Sequence, residues 1–197
     1  MTTSTGLPRG AIRKAMRSAR RLLSPNVQQE HARLAAKHLI GSQHLLRART
    51  IAGYIAADGE LDITEAFDRL LSMGKRLALP VVDRLSHRLD FFEYTQSTRL
   101  VRGAFDIPVP EPGSAHVPII AIDLMLTPLV AFDIYGNRLG MGGGFYDRTL
   151  AQVEPLLRPH LLGVAHALQL SEQPLPHQPW DIPLDGVLTE HGVRQTI

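Results

Sequence analysis

The sequence predicts an α/β fold with a mainly parallel sheet, and two observations carry this prediction. The β-branched and apolar run "TIAGYIAA" (50–57) and the run "RLALPVV" (76–82) each suit a buried strand, and an amphipathic stretch separates them. Strand, helix and strand within about thirty residues are typical of a right-handed βαβ unit. The chain has 197 residues, 44% of them hydrophobic, so we expect one domain over residues 1–197 with a full core.

Two helices are predicted before the first strand. Residues 8–23 place apolar side chains such as Ile12 on one helical stripe, with arginines at spacings of three to four beside it. This spacing predicts one basic helix face, formed by Arg9, Arg13, Arg17 and Arg20. Ser24 and Pro25 suit the cap and first turn of a second helix, which is expected to end near Gly41.

The rest of the chain alternates strand patterns with proline-rich loops. Thr64 precedes an amphipathic helix that Gly74 closes. Two proline-dense stretches, residues 105–118 and 173–185, are expected to be ordered loops, and loops of that length often carry function. Further strands are predicted at residues 89–94, 119–128, 161–167 and 185–190.

Charge and composition restrict the possible partners. The net charge is +2, but residues 1–50 hold ten Lys or Arg against one acid, whereas the other 147 residues hold eleven against eighteen. A cationic start could be a transit peptide or a nucleic-acid arm, but its helical pattern continues to the cap at Ser24, which favours folded protein. Apolar runs are broken well before the ~20 residues of a membrane span. Cysteine is absent. We therefore expect a cytoplasmic protein with no disulfide and no membrane or nucleic-acid partner.

The segment "GNRLGMGGGFYDR" (136–148) has the most unusual composition in the chain. It contains five glycines and lies between the predicted strand that ends near Pro128 and a helical pattern over residues 146–157. A glycine-rich turn at the start of a helix exposes backbone N–H groups, which favour anions such as phosphates. The spacing matches neither the P-loop nor GxGxxG. A tight turn without a ligand is the alternative. Arg138 and Asp147, which could hold Mg²⁺, favour phosphate binding.

A longer stretch around this segment, "FDIYGNRLGMGGGFYDR", resembles the signature of the 5-formyltetrahydrofolate cyclo-ligase (5,10-methenyltetrahydrofolate synthetase) family. Other segments match that family in order: "AADGELDIT", "FDIPVPEP", "DLMLTPLVAFD", "GVAHALQ" and "LPHQPWDIPLD". The resemblance implies a Rossmann-like three-layer sandwich with helices on both faces of the sheet. It also implies an enzyme that uses ATP and Mg²⁺ to convert 5-formyltetrahydrofolate into 5,10-methenyltetrahydrofolate. Its partners would be these small molecules, and a monomer is favoured.

The resemblance also implies site residues. Arg138 and Tyr146 would be catalytic, and Asp147 and Asp181 would hold Mg²⁺, with Asp185 as the alternative second acid. The ATP site would comprise Arg9, Arg13, Arg138, Leu139, Gly140, Met141, Gly142, Gly143, Gly144, Phe145 and Tyr146. The folate site would comprise Ile55, Glu60, Phe105, Met141, Gly142, Gly143, Gly144 and Phe145.

Three positions depart from the family pattern. Arg9 stands where lysine is frequent, Phe145 where many members have tyrosine, and Trp180 where histidine is common. None of these exchanges removes a charge that the chemistry needs. Two other classes stay open from the residues alone: a noncatalytic nucleotide-binding or nucleic-acid-associated protein that uses the basic start, and a sugar-phosphate isomerase-like enzyme whose glycine loop binds substrate without ATP.

Overall fold

Five α-helices and eleven strands make up the part of the chain that the computed structural model describes, residues 7–197. The helices are α1 (Arg9–Arg21), α2 (Pro25–Ile40), α3 (Gln43–Arg47), α4 (Glu65–Ser72) and α5 (Phe145–Leu150). The strands are β1 (Thr50–Ala52), β2 (Arg76–Asp83), β3 (Arg88–Tyr94), β4 (Leu100–Arg102), β5 (Pro108–Pro110), β6 (Leu124–Pro128), β7 (Ala131–Phe132), β8 (Arg138–Leu139), β9 (His160–Val164), β10 (Gly186–Thr189) and β11 (Gly192–Gln195).

Seven strands form one mixed sheet in the order β11-β10-β9-β6-β1-β2-β3. The five central strands run parallel, while β3 and β11 pair antiparallel with β2 and β10 at the two edges. The predicted α/β class with a mainly parallel sheet is therefore confirmed. The chain places β2 on one side of β1 and β6 on the other. At such a switch in strand order, the carboxyl ends of the strands open a crevice that suits a ligand.

Alternating side chains of the strands pack into two cores, one on each face of the sheet. Ile51 of β1 belongs to the core that also takes Leu39 from α2 and Phe67 from α4. The next residue, Ala52, belongs to the other core, which takes Leu150 from α5 and is otherwise closed by loops. Both faces are covered as expected, but α2 and α4 pack on the same face, whereas α5 packs on the other. Within residues 7–197, no helix combines the length and apolar character that crossing a bilayer requires.

The predicted helix boundaries follow from local capping. The Ser24 hydroxyl accepts a hydrogen bond from the Val27 N–H at 3.4 Å, which satisfies a free donor at the start of α2. Gly41 caps the other end of that helix. Gly74 follows α4 with a φ of +74°, the left-handed conformation that glycine adopts without steric cost.

The first strand is shorter than its apolar run predicts, because β1 ends at Ala52 rather than at residue 57. The next residue, Gly53, lies against α4, and a Cβ there would stand 2.8 Å from the Phe67 ring. The chain then leaves the sheet and turns at Asp58 and Gly59, both of which have positive φ. The residues after β1 are therefore free to form a wall beside the sheet.

The sequence predicts that the glycine-rich segment turns directly from a strand into a helix, and this prediction is wrong. The hairpin of β7 and β8 lies between β6 and α5. The following helix is also shorter than predicted, since α5 ends at Leu150 and residues 155–157 form a separate 3₁₀ turn. Glu154 has a ψ of 137°, outside the helical range, as expected for a residue that precedes a proline, so no single helix can run from α5 through this 3₁₀ turn.

Candidate active site

A cavity of about 1170 Å³ opens at the carboxyl ends of β1 and β6, beside β2. Single drug-sized ligands occupy pockets of roughly 300–1,000 Å³, so this space can receive more than one small molecule. Five segments contribute to its walls: α1, the turn after β1, the tip of the β4–β5 ribbon, the glycine loop, and residues 178–181. The cavity therefore lies where the strand order of the sheet predicts a ligand site.

Every residue that the family resemblance assigns to a ligand lines this cavity except Leu139. The Leu139 side chain is fully buried in a small core with Ala131 and Leu175, so it cannot touch a ligand there. The cavity lining includes Arg9, Arg13, Ile55, Glu60, Phe105, Arg138, Gly140, Met141, Gly142, Gly143, Gly144, Phe145, Tyr146, Asp147 and Asp181.

The β7–β8 hairpin, which precedes the glycine loop, positions Arg138 in the cavity wall. The buried Asp133 carboxylate fixes its turn by accepting hydrogen bonds from the Tyr135 and Asn137 N–H groups at 2.9 and 3.0 Å. Gly136 has a φ of +85°, and a Cβ there would stand 2.6 Å from the Leu184 carbonyl oxygen. Because only glycine fits this position, the turn geometry fixes where β8 begins.

Two arginines hold the glycine loop by its carbonyl groups. Arg13 Nε of α1 donates to the Gly140 oxygen at 2.8 Å, and Arg148 Nη1 donates to the Gly143 oxygen. Among residues 7–197, no group accepts a hydrogen bond from the N–H groups of residues 141–144. The loop therefore presents bare donors at the start of α5, with Gly142 at a φ of +106° and Gly144 at +67°.

Asp147 and Asp181 each pair with an arginine of the cavity wall. Asp147 Oδ1 accepts from Arg138 Nη2 at 2.6 Å and from the Ile182 N–H at 3.1 Å. Asp181 Oδ2 accepts from Arg9 Nη1 at 2.9 Å and from the Gln178 N–H at 2.9 Å. The two carboxylates thus bind one loop, residues 178–182, to both α1 and α5. Each keeps its second oxygen without a hydrogen-bond partner among the described residues.

The alternative second acid, Asp185, lies elsewhere. Its Oδ2 accepts a hydrogen bond from the Leu161 N–H at 2.7 Å and stands 3.4 Å from His160 Nδ1, at the amino end of β9. It does not line the cavity. Only Asp181 of the two candidates is therefore in a position to share a ligand with Asp147.

Glu60 is a half-buried acid in the turn after β1. Its Oε2 accepts a hydrogen bond from the Ala57 N–H at 3.1 Å, and its Oε1 is 3.7 Å from Arg20 Nη2. Burial raises the pKa of Glu60, and the Ala57 N–H and the Arg20 charge oppose that rise. Burial, together with the Glu60 charge, also raises the pKa of Tyr146 in the glycine loop. The Tyr146 hydroxyl therefore keeps its proton at neutral pH.

Phe105 is an exposed aromatic at the tip of the ribbon formed by β4 and β5. Its side chain is 66% accessible, and its φ of +58° is unusual for a bulky residue. The Phe105 and Phe145 ring centroids are 5.9 Å apart in an edge-to-face arrangement. The ribbon tip therefore meets the glycine loop at the rim of the cavity, where the family resemblance sets an aromatic beside the folate.

Part of the basic face of α1 belongs to an ion-pair cluster around Asp58, which the sequence does not reveal and which borders the cavity. Arg20 is fully buried and donates to the Asp58 carboxylate at 3.0 Å and to the Leu129 carbonyl oxygen at 3.1 Å. Arg17 reaches the same carboxylate at 2.8 Å, and Arg21 also contacts it. A single carboxylate thus binds three arginines of the cationic start, and its one signal in the sequence is its place two residues before Glu60.

The pKa of Asp58 gives a testable consequence for acid stability. Burial of this carboxyl favours its neutral form, but hydrogen bonds from Arg17, Arg21 and Arg20 outweigh burial and lower its pKa from 3.8 to about 2. The stabilisation is therefore nearly complete above about pH 5 and is lost as the pH falls through 2, and it amounts to at most about 2 kcal/mol because solvent screens the exposed Arg21. We expect Asp58→Asn to be less stable than the parent at pH 7, and the difference to shrink by that amount near pH 2.

Urea unfolding of the parent and of Asp58→Asn at pH 7, 4 and 2.5 measures this effect. Glu30→Gln is the control, because Glu30 forms an exposed pair with Arg33 that contributes little to stability. A difference between parent and Asp58→Asn that stays constant across this range would show that the Asp58 charge does not stabilise the fold.

Comparisons of the whole chain with known proteins find relatives of one kind. A family model described as the 5-formyltetrahydrofolate cyclo-ligase family matches residues 7–190. The 5-formyltetrahydrofolate cyclo-ligase of Escherichia coli (strain K12) is 42% identical over 180 residues, which cover 90% of this chain and 98% of that protein. The Haemophilus influenzae enzyme of the same name is 36% identical over 184 residues, which cover 91% and 96%.

A solved structure shares the fold. The NMR structure of Aquifex aeolicus 5,10-methenyltetrahydrofolate synthetase matches with a TM-score of 0.82 and 31% identity, and the match covers 96% of this chain and 93% of that one. The sequence matches and the structure match thus each extend over at least 90% of this chain. The chain belongs to the 5-formyltetrahydrofolate cyclo-ligase family.

Proposed function

We propose that this chain catalyses the ATP- and Mg²⁺-dependent cyclisation of 5-formyltetrahydrofolate to 5,10-methenyltetrahydrofolate, with release of ADP and phosphate. One observation supports the proposal beyond family membership. A single cavity, large enough for two small molecules, joins a bare glycine loop and three arginines to a half-buried acid and an exposed aromatic ring. The first set suits a triphosphate, and the second suits a flat ring system with donor groups at its edge.

The proposed triphosphate site consists of the N–H groups of residues 141–144 together with Arg9, Arg13 and Arg138. Bare N–H groups at a helix start and fixed guanidinium groups both favour phosphate oxygens. Each of these arginines is already held by a protein oxygen: Arg9 by Asp181, Arg13 by Gly140 and Arg138 by Asp147. Little ordering is then needed when ATP binds, which favours affinity and precise positioning.

The proposed reaction has two steps. The formyl oxygen of the folate forms a bond to the γ-phosphorus of ATP while the bond to the β–γ bridging oxygen breaks, which gives ADP and an N5-iminium phosphate. N10 then attacks the former formyl carbon and loses its proton, and phosphate leaves. Such a transfer requires positioning and neutralisation of charge rather than a protein nucleophile. Arg138 supplies the positive charge, and the protonated Tyr146 hydroxyl can donate a hydrogen bond to an oxygen that becomes negative.

The carboxylates of the cavity fit a magnesium ion that keeps part of its hydration shell. Asp147 and Asp181 are linked through the 178–182 loop, and within residues 7–197 no group donates a hydrogen bond to the second oxygen of either carboxylate. Mg²⁺ prefers oxygen ligands and is usually bound by one or two carboxylates, waters and substrate phosphates. We therefore propose that these two acids hold the ion, which when bound neutralises phosphate charge.

The metal assignment predicts a change in Mg²⁺ dependence. Asp181→Asn keeps an acceptor for Arg9 and for the Gln178 N–H but removes the negative charge, so we expect about a tenfold higher Mg²⁺ concentration for half-maximal activity. Asp185→Asn, which alters an acid outside the cavity, is the control and should titrate like the parent. If Asp181→Asn also titrates like the parent, Asp181 is not a magnesium ligand.

The folate assignment predicts a selective loss of folate affinity. Glu60→Gln keeps the size of the side chain and an oxygen for the Ala57 N–H, but it removes the charge that would accept hydrogen bonds from the pterin. A charge-assisted bond contributes about 1.5 to 3 kcal/mol, so the folate dissociation constant should rise roughly ten- to a hundredfold while ATP affinity is nearly unchanged. Calorimetric titration with each ligand separately measures this, and the exposed Glu65 provides the control variant Glu65→Gln. An equal loss for both ligands would contradict a specific folate contact.

The direct test of the proposed function is the near-ultraviolet absorbance of the methenyl product after the protein is mixed with 5-formyltetrahydrofolate, ATP and Mg²⁺. Omission of ATP is the control, and product formed without it would contradict the mechanism. If no product forms with both substrates present, the proposed function is contradicted. The nucleotide-binding and sugar-phosphate alternatives are then the ones to test. The expected single domain, monomeric state and cytoplasmic location stay predictions.

A further inference from the structure

Outside the cavity, two histidines and a glutamate from three separate elements meet beneath the surface. His31 lies on α2, His166 follows β9 and Glu190 follows β10. His166 is fully buried and Glu190 is 5% exposed, whereas the His31 side chain is 19% exposed and reaches solvent. Among residues 7–197, only this group brings three histidine or carboxylate donor atoms within 4.8 Å of one another.

The spacing of these donor atoms is close to that of a tetrahedral metal site. His31 Nδ1 is 2.9 Å from His166 Nδ1 and 3.5 Å from Glu190 Oε1. Two ligands at zinc-to-nitrogen distances of about 2.0–2.1 Å stand about 3.3 Å apart in a tetrahedron. An ion could therefore replace the proton that the two imidazoles share, with movements of a few tenths of an ångström.

The surroundings also suit a bound cation. Glu190 Oε2 accepts a hydrogen bond from the Ala167 N–H at 2.9 Å, which leaves Oε1 directed to the histidines and resembles the outer-shell support of metal ligands. The nearby Arg20 charge is compensated by Asp58 at 3.0 Å.

We propose that His31, His166 and Glu190 form a structural site for a borderline divalent transition-metal ion such as Zn²⁺. Two imidazoles and one carboxylate are ligands that such ions prefer, and Mg²⁺ does not. The exposed side of His31 gives the ion its entry path, and a water completes the coordination there. The bound ion joins α2 to the ends of β9 and β10, so its main effect is on stability. The proposal does not depend on the proposed catalytic function.

A second histidine pair provides the matched control. His44 and His160 are 4.4 Å apart between ring centroids, and Asp185 lies 3.4 Å from His160 Nδ1. These rings are stacked at an interplanar angle of 14°, so their nitrogen lone pairs do not converge on one point. His44→Gln removes one imidazole of this pair without altering the proposed site.

The experiment titrates chelator-treated full-length protein with Zn²⁺ by calorimetry, and with Co²⁺ by visible absorption, which reports tetrahedral coordination. We expect one ion per chain in the parent and in His44→Gln, and at least about tenfold weaker binding in both His31→Gln and Glu190→Gln. Zn²⁺ at a hundred times its dissociation constant should raise the Tm of the parent by roughly 5–10 °C. Circular dichroism without metal verifies that both site variants are folded, and Glu190→Gln keeps an acceptor for the Ala167 N–H.

Three results would overturn the proposal. The first is binding that does not saturate at one ion per chain. The second is an unchanged metal affinity in His31→Gln and Glu190→Gln. The third is a loss of metal affinity in His44→Gln equal to the loss in the site variants. The last two would assign the binding to other surface histidines. Cyclisation activity is not a readout of this test, so failure here leaves the catalytic proposal untouched.

Discussion

Replacing Gly142 with valine is expected to lower kcat/KM for ATP by about a hundredfold or more. Gly142 has a φ of +106°, and its Cβ position is 3.7 Å from the Arg13 guanidinium carbon. A branched side chain would displace Arg13, whose hydrogen bond to the Gly140 oxygen holds the loop, and would cover the N–H groups of the proposed phosphate site. A displacement of about 1 Å near the reacting groups can cost a hundredfold in rate.

The same substitution also strains the backbone, so the kinetic effect needs a control for stability. A β-branched residue at such a φ costs about 1–3 kcal/mol. Gly113 has nearly the same φ, +100°, with no atom within 4 Å of its Cβ position, and it does not line the cavity. Gly113→Val should therefore lose similar stability and keep parental ATP kinetics. Steady-state kinetics and urea unfolding of both variants separate the effects, and parental kinetics in Gly142→Val would refute the phosphate-loop assignment.

Replacing Arg138 with methionine is expected to lower kcat by about a thousandfold. The guanidinium is nearly buried in the cavity wall, where Asp147 and the Ile182 carbonyl oxygen hold it. A fixed positive charge beside a phosphoryl group stabilises the transition state far more than a charge in water, and arginines in comparable positions contribute about 10³ to 10⁵ in kcat. Methionine fills a similar volume without the charge.

Two further variants test whether charge or packing causes this loss. Arg158→Met removes an arginine that also donates to carbonyl oxygens, those of Leu150 and Val153, but lies outside the cavity, so its kcat should be parental. Arg138→Lys keeps the charge but loses the planar fork, and we expect partial activity between those of the parent and Arg138→Met. Single-turnover kinetics at saturating ATP measures the chemical step. A kcat for Arg138→Met within a few-fold of the parent would contradict a catalytic role.

The elements that the sequence predicts correctly are those with a local signal. The cap at Ser24, the end of α2 near Gly41 and the alternation of apolar runs that gives a parallel sheet depend on residues a few positions apart. The element ends that the sequence predicts wrongly depend on packing against distant residues or on a proline. β1 stops where Gly53 meets Phe67, and the helix after the glycine loop stops before Pro155.

The sequence by itself determined the α/β class, the glycine loop and, through the family resemblance, fifteen of the residues that line the cavity. The tertiary structure decided which charges face that cavity. It separates Asp181, paired with Arg9 across 172 residues, from Asp185, which binds the start of β9. It also turns half of a uniform basic helix face towards Asp58, about forty residues away in the chain. Local periodicity determines only the side of a helix or strand on which a residue lies, whereas the partner of a charge depends on how distant segments pack together.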